Sequence, residues 1–182
     1  MYTTAMSSIM AIAIALTFVV QQSNAVDFHQ WCQRTSHNNL CVSVVMADPR
    51  NNLKTSPNGI CRILTDKAIT IANANAARIS DLQKKSTGRI TGPLRTCSTE
   101  YDKMRYDLKG FDFTVLNHEN YIPLVANVGG AAGTPGDCEG AFKEFHIPSP
   151  LTNANKNLED ILVAVLEIIN LNECNKINSC IG

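Results

Sequence analysis

The feature that most constrains the fold is a run of apolar residues at steps of three and four between residues 94 and 115. The run consists of Leu94, Cys97, Tyr101, Met104, Leu108, Phe111 and Val115. These steps place side chains on one face of a 3.6-residue helix. The spacing predicts a helix from Leu94 to about Leu116 with Cys97 on its buried face. A buried cysteine is either a small hydrophobe or half of a disulfide. Whether the protein folds in an oxidising compartment decides between the two.

The first 25 residues predict a secretory signal peptide. They carry no charge, contain the apolar run from Met10 to Val20 and end in the small-x-small pattern Ser23-Asn24-Ala25. The apolar run is shorter than a comfortable membrane span. We therefore expect a secreted, extracellular protein whose mature part, residues 26–182, forms one domain.

The charge balance argues against two classes of partner. The 16 basic and 16 acidic residues of the chain cancel. Such a chain is not typical of proteins that bind a phosphate backbone or an anionic membrane. Outside the leader, no stretch is continuously apolar for the roughly 18 residues of a transmembrane helix. We expect neither nucleic acid nor a membrane as a partner.

Seven cysteines lie in the mature part, and an oxidising compartment favours bridges between them. They are Cys32, Cys41, Cys61, Cys97, Cys138, Cys174 and Cys180. The odd number leaves at least one thiol unpaired within a monomer. Spacing alone does not choose among the many possible pairings.

Residues 26–52 predict a helical hairpin that precedes the main fold. Two short amphipathic pieces, from Asp27 to His37 and from Asn39 to Asp48, are separated by the turn residues HNN and closed by DPRNN. Cys32 and Cys41 lie one in each piece. A bridge between them would hold together two helices that are too short to be stable by burial alone.

Residues 56–172 predict an up-down-up-down four-helix bundle, followed by a C-terminal extension over 173–182. Ser56-Pro57 is an N-cap with proline at the first helical position, and an apolar stripe continues to about Lys85. A third stripe begins at Tyr121, and the glycine-rich residues 129–136 are expected to fray it. The fourth segment, 158–171, is apolar on most of its circumference. No segment shows strand alternation, so the fold class is all-α.

No catalytic or metal-binding motif stands out in the sequence. There is no His-Glu-x-x-His, Gly-x-Ser-x-Gly, phosphate-binding glycine loop or Cys-x-x-Cys. The four histidines are scattered, and Cys61 is interpreted as a buried spare thiol rather than a nucleophile. We expect no catalytic residue, no metal and no cofactor, and therefore not an enzyme.

The cysteine layout resembles the plant family of pectin methylesterase inhibitors and invertase inhibitors. The resemblance is carried by CQRTSHNNLCVSVVMADPR at 32–50, by GPLRTCSTEYDKMRYDLKG at 92–110 and by CEGAFKE at 138–144. It implies a signal peptide, an N-terminal hairpin and a four-helix bundle. It also implies bridges from Cys32 to Cys41 and from Cys97 to Cys138. Up-down packing would make the second and third bundle helices neighbours, which suits the second of these bridges.

Three cysteines are additional to the four that the family shares. Cys174 and Cys180 are separated by five residues and are predicted to close a small terminal loop, which leaves Cys61 free. The step from Tyr121 to Cys138 suits an invertase inhibitor-like branch that contains pollen allergens.

The resemblance implies a secreted, non-catalytic inhibitor that occludes the active site of a cell-wall carbohydrate enzyme and acts as a monomer. Invertase inhibitors of the family carry Pro-Lys-Phe before the third bundle helix, where this chain has Glu119-Asn120-Tyr121. Pectin methylesterase is therefore the preferred target and invertase the alternative. A non-inhibitory binding protein of the same fold is the second alternative.

The candidate partner-binding residues lie on the second and third bundle helices. If the stripe beginning at Cys97 faces inward, the opposite face carries Thr99, Lys103, Tyr106 and Phe113. Exposed aromatic residues are plausible interface anchors, unless the N-terminal hairpin covers them. Glu119, Asn120 and Tyr121, at the start of the third bundle helix, complete the candidate set.

Overall fold

The computed structural model describes residues 27–114 and 118–177, and these residues contain six α-helices and no strand. The helices are α1 (Phe28–Cys32), α2 (Asn38–Ala47), α3 (Pro57–Lys85), α4 (Thr91–Lys109), α5 (His118–Glu144) and α6 (Thr152–Ile177). Short 3-10 turns at Asn51–Thr55 and Gly88–Ile90 precede α3 and α4. The predicted all-α class is confirmed. The predicted signal peptide lies outside the described part of the chain, and so does Cys180 of the predicted Cys174–Cys180 bridge.

Helices α3 to α6 form the four-helix bundle, and successive helices run in opposite directions. Each packs against two neighbours, in the closed order α3, α4, α5, α6 and back to α3. The core between them consists of aliphatic side chains such as Leu64, Leu108 and Leu158, all at most 1% exposed. None of the described helices is both long and apolar enough to cross a membrane.

The start of α3 follows the capping chemistry that the sequence predicts. Ser56 Oγ accepts a hydrogen bond from the Gly59 backbone N–H at 3.2 Å, and Pro57 occupies the first helical position. The cap satisfies a backbone donor that has no partner within the helix. The helix then continues without a break to Lys85.

The N-terminal hairpin rests on α3 and α6 and is bridged by the Cys32–Cys41 disulfide. At its turn, the Ser36 backbone N–H donates to Glu167 of α6 at 3.0 Å. At its end, the Arg50 guanidinium bonds both Asp48 and Asp66 of α3, at 2.7 Å each. The hairpin is therefore tied to the bundle at both ends and leaves the outer faces of α4 and α5 uncovered.

Helix α4 ends at Lys109, so the prediction that it continues to about Leu116 is wrong. The Gly110 N–H bonds the Asp107 carbonyl at 3.0 Å, and the next residues are not helical. Phe111 and Phe113 both enter the core and meet edge to face, with ring centroids 6.1 Å apart. Side chains two positions apart cannot share one face of a helix, so the chain must leave the helix to bury both rings.

Helix α5 continues from His118 to Glu144, so the prediction of a helix frayed by glycine is also wrong. It passes through the glycine-rich residues 129–136 and includes Pro135. The inner side chains of this stretch are buried against α4 and α6, and the Cys97–Cys138 disulfide fixes its end. Tertiary packing therefore overrides the low helix propensity of glycine.

Helix α6 continues to Ile177, past the predicted end of the bundle at residue 172. Glu173 is 5% exposed and belongs to this helix. The segment predicted as a C-terminal extension therefore begins inside the last bundle helix.

Candidate partner-binding face

Three of the predicted binding residues lie on the outer face of α4. Thr99, Lys103 and Tyr106 are exposed, and Tyr106 has 82% of its surface accessible. They are exposed because the inward stripe of α4, from Leu94 to Leu108, fills the core on the opposite side. The hairpin packs elsewhere, on α3 and α6, and so does not cover them.

Phe113 is not part of this face, so its assignment as an exposed anchor is wrong. Its ring is 3% exposed and packs against Phe111 inside the core. The prediction failed because it extended the helical phase of α4 beyond Gly110, where the chain has already left the helix.

The three predicted residues at the start of α5 differ in their surroundings. Glu119 is exposed and Asn120 is partly buried. Tyr121 packs against the core, and its hydroxyl donates to Asn170 Oδ1 of α6 at 2.8 Å. Tyr121 is therefore held by the bundle rather than presented to a partner.

The sequence pattern did not identify the outer surface of α5 as a candidate binding surface. Its exposed residues between 122 and 136 are Ile122, Pro123, Ala126, Asn127, Gly130, Gly133 and Gly136. No charged residue occurs between positions 120 and 136. Ile122 has 71% of its surface accessible, and a Cβ built on Gly130 or Gly133 would meet nothing within 4 Å. We call these seven residues the uncharged face.

A cleft separates the uncharged face from the end of α4. Its volume is about 430 Å³, and it is lined by Tyr106, Asp107, Lys109, Gly110, Phe111 and Asn127. Tyr106 on one side and Asn127 on the other are both exposed, so a partner can contact both helices at once. The signal that could have found this surface is the absence of charge from a long helix, since solvent-exposed helix faces are ordinarily charged.

The disulfide between Cys97 and Cys138 joins the two helices of this surface. Its sequence separation is 41 residues. Closing a loop of that length restricts the unfolded chain and contributes about 4 kcal/mol to stability. The relative placement of α4 and α5 is thus covalently restrained, as a preformed binding surface requires.

Two features of the described residues bear on catalysis: the free thiol of Cys61 and the placement of possible metal ligands. Cys61 is unbridged and fully buried, and burial raises the pKa of its thiol, which opposes formation of the nucleophilic thiolate. Within residues 27–114 and 119–173, no group of three or more His, Cys, Asp or Glu side chains is placed to hold a metal ion.

Comparison with known proteins identifies the family. A family model for plant invertase/pectin methylesterase inhibitors matches residues 27–168. No curated protein matches the chain. A crystal structure of a mutant form of a pectin methylesterase inhibitor from Arabidopsis superposes with a TM-score of 0.61 over 80% of this chain and 96% of that chain, at 15% sequence identity. At that identity the structural likeness shows the shared fold, while the family model covers most of the sequence. The chain therefore belongs to the plant invertase/pectin methylesterase inhibitor family.

Proposed function

We propose that this protein is a secreted, non-catalytic inhibitor that binds pectin methylesterase and blocks access to its active site. The uncharged face of α5, together with Tyr106 of α4, forms the contact surface. The protein acts as a monomer, needs no cofactor and works in the cell wall, where the predicted signal peptide would deliver it.

The observation that carries this proposal is the exposure of two large apolar side chains, Ile122 on the uncharged face and Tyr106 in the cleft beside it. Tyr106 and Ile122 are 82% and 71% exposed, although each would gain from burial. Interface cores are depleted of charged residues and are anchored by aromatic and aliphatic side chains. The exposed glycines of the uncharged face allow a partner to approach the helix backbone closely.

The choice of pectin methylesterase over invertase is supported by the start of α5. In the invertase inhibitors of this family, a Pro-Lys-Phe motif enters the active site of the enzyme. Here the corresponding aromatic residue, Tyr121, is packed against the core and bonded to Asn170. Freeing it would cost both contacts, so it is poorly suited to insertion into an enzyme cleft.

Inhibition assays on both enzymes test the proposal. The mature protein is added in increasing amounts to pectin methylesterase and, separately, to invertase, and turnover is measured from acidic to neutral pH. We expect loss of esterase activity alone. Loss of invertase activity alone would reassign the target, and binding without loss of either activity would identify a non-inhibitory binding protein.

A further inference from the structure

The central stretch of helix α5 buries only small side chains, whereas the larger buried residues Leu124, Val128 and Phe142 lie on either side of it. Between Val128 and Cys138 its buried residues are Ala131, Ala132, Thr134 and Pro135. Side chains of this size make shallow ridges, and packing of ridges into grooves is what ordinarily fixes the relative placement of two helices. Over this stretch, apolar packing therefore gives little resistance to rotation and tilt of α5.

Two polar contacts join α5 to α6 on either side of this small-residue stretch. At the start of α5, Tyr121 Oη donates to Asn170 Oδ1 at 2.8 Å. Near its end, Glu139 Oε1 accepts from Asn155 Nδ2 at 2.5 Å, and Glu139 Oε2 accepts from Thr152 Oγ1 at 2.9 Å. Glu139 also accepts a hydrogen bond from Ser149 at 2.7 Å. Each contact is directional and is satisfied at one orientation of α5.

The hydrogen bond between Glu139 and Asn155 depends on the position of α5 because Asn155 is buried. Asn155 is 1% exposed, and its Oδ1 is already bonded to Tyr101 of α4, so its amide group cannot turn to follow a displaced Glu139. Cys138, the neighbour of Glu139, is bridged to Cys97 of α4. Two consecutive residues thus attach α5 to its two neighbours, one through a covalent bond and one through hydrogen bonds.

We propose that Tyr121 and Glu139 are positioning residues that fix the rotation and tilt of α5 on α6 and thereby orient the uncharged face. Ile122 and Glu139 are about 25 Å apart along the helix, at 1.5 Å per residue. Once neither contact holds α5, a tilt of about 5° displaces one end of this length relative to the other by about 2 Å. A displacement of this size is enough to spoil shape complementarity at an interface. The link to inhibition rests on the proposed function, whereas the orientation of α5 does not.

The test compares Tyr121→Phe, Glu139→Leu and the double variant with wild type. The two sites are far apart, so their effects on the free energy of unfolding should add. Their effects on inhibition should not add, because either contact alone holds α5 while loss of both releases it. We expect the inhibition constant of each single variant to stay within about threefold of wild type, and that of the double variant to rise at least about tenfold.

Two variants serve as controls. Asp137→Leu removes an exposed carboxylate from the same helix and should leave the orientation of α5 unchanged. Glu139→Gln keeps the length and one acceptor oxygen of the side chain and should restore inhibition in the Tyr121→Phe background. If, in the Tyr121→Phe background, Glu139→Gln weakens inhibition as much as Glu139→Leu does, charge rather than position is responsible and the proposal fails.

Residual dipolar couplings of the α5 amides measure the orientation of the helix without any partner. In the double variant we expect α5 to reorient by several degrees relative to α3 and α4, while Asp137→Leu leaves it unchanged. An unchanged orientation would overturn the proposal, and so would additive losses of inhibition. If wild type inhibits neither enzyme, the proposed function fails, and the couplings alone still decide whether Tyr121 and Glu139 position α5.

Discussion

Tyr101 of α4 donates its hydroxyl hydrogen to Asn155 of α6 across the centre of the bundle, with 2.5 Å between Oη and Oδ1. Asn75 of α3 donates to the same hydroxyl at 3.0 Å. Burial raises the pKa of Tyr101 to about 12, with Glu139 adding to the effect, so the hydroxyl remains a neutral donor. One phenol therefore connects three of the four bundle helices through buried hydrogen bonds.

Replacing Tyr101 with Phe should destabilise the protein by about 1–3 kcal/mol, because Asn155 Oδ1 loses its donor while it remains buried. Truncation to Ala should cost about 3–5 kcal/mol, since it also opens a cavity. Denaturant unfolding monitored by circular dichroism measures both values. The matched control is Tyr121→Phe, which removes a hydroxyl from a half-buried site, where the Asn170 partner is only partly buried. Equal losses in the two Phe variants would contradict the buried role of Tyr101.

Gly59 marks a close approach between the start of α3 and the preceding 3-10 turn. A Cβ at this position would lie 2.0 Å from the carbonyl oxygen of Leu53, which is backbone and cannot rotate away. We expect Gly59→Ala to destabilise the protein by at least about 2 kcal/mol, because the turn or the helix must shift.

Gly133→Ala should do the opposite and stabilise the protein by about 0.5–1 kcal/mol, because its Cβ enters open space on a helix. Thermal unfolding distinguishes the two signs, and a stabilising Gly59→Ala would disprove this packing.

Asp48 should make the stability of the protein sensitive to acid. The Arg50 side chain, through its hydrogen bonds, lowers the pKa of the Asp48 carboxyl below its usual value. A carboxyl with a lowered folded-state pKa stabilises the fold fully above its unfolded pKa, about 4, and loses that contribution as the pH falls through the folded value. Because Arg50 is 40% exposed, we expect a contribution of only about 1 kcal/mol.

Unfolding of wild type and Asp48→Asn from pH 6 to pH 2 measures this contribution. Wild type should be the more stable protein at pH 6, and the difference should shrink below about pH 4. A difference that stays constant or widens with acid would show that Asp48 does not act through its charge.

The sequence was sufficient for features that depend on local chemistry or regular spacing. The stripe from Leu94 to Leu108 is buried as its spacing predicts, and Ser56 caps α3. The two disulfides pair as the family resemblance implies. The stripe and the cap follow from neighbouring residues along the chain, whereas the disulfide pairing follows from the resemblance.

The candidate site was harder to predict because the burial of its residues depends on tertiary structure. Phe113 is buried because the chain leaves the helix at Gly110 and returns to the core, which helical phase alone does not reveal. The glycines of α5 are helical because α4 and α6 bury its other side. An exposed, uncharged helix face was therefore mistaken for a break in the helix.

The contact surface predicts that its two apolar anchors dominate binding. Replacing both Tyr106 and Ile122 with Ala should raise the inhibition constant for pectin methylesterase at least about thirtyfold, equivalent to about 2 kcal/mol, because the anchors lose buried apolar area. Stability should change by no more than about 0.5 kcal/mol, since both side chains are exposed. Met46→Ala is the control, because Met46 is 63% exposed on α2 and lies outside this surface. Comparable losses in Met46→Ala would move the contact to the hairpin.

The uncharged face makes a second prediction in which stability and binding change in opposite directions. Gly133→Gln places a side chain where nothing lies within 4 Å, so the bundle should become more stable by about 0.5 kcal/mol through the higher helix propensity of glutamine. The same side chain should obstruct a partner that approaches the α5 backbone and weaken inhibition at least about tenfold. Arg78→Gln, on α3, introduces glutamine on another helix and should leave inhibition unchanged. If Gly133→Gln inhibits as well as wild type, the partner does not contact the centre of α5.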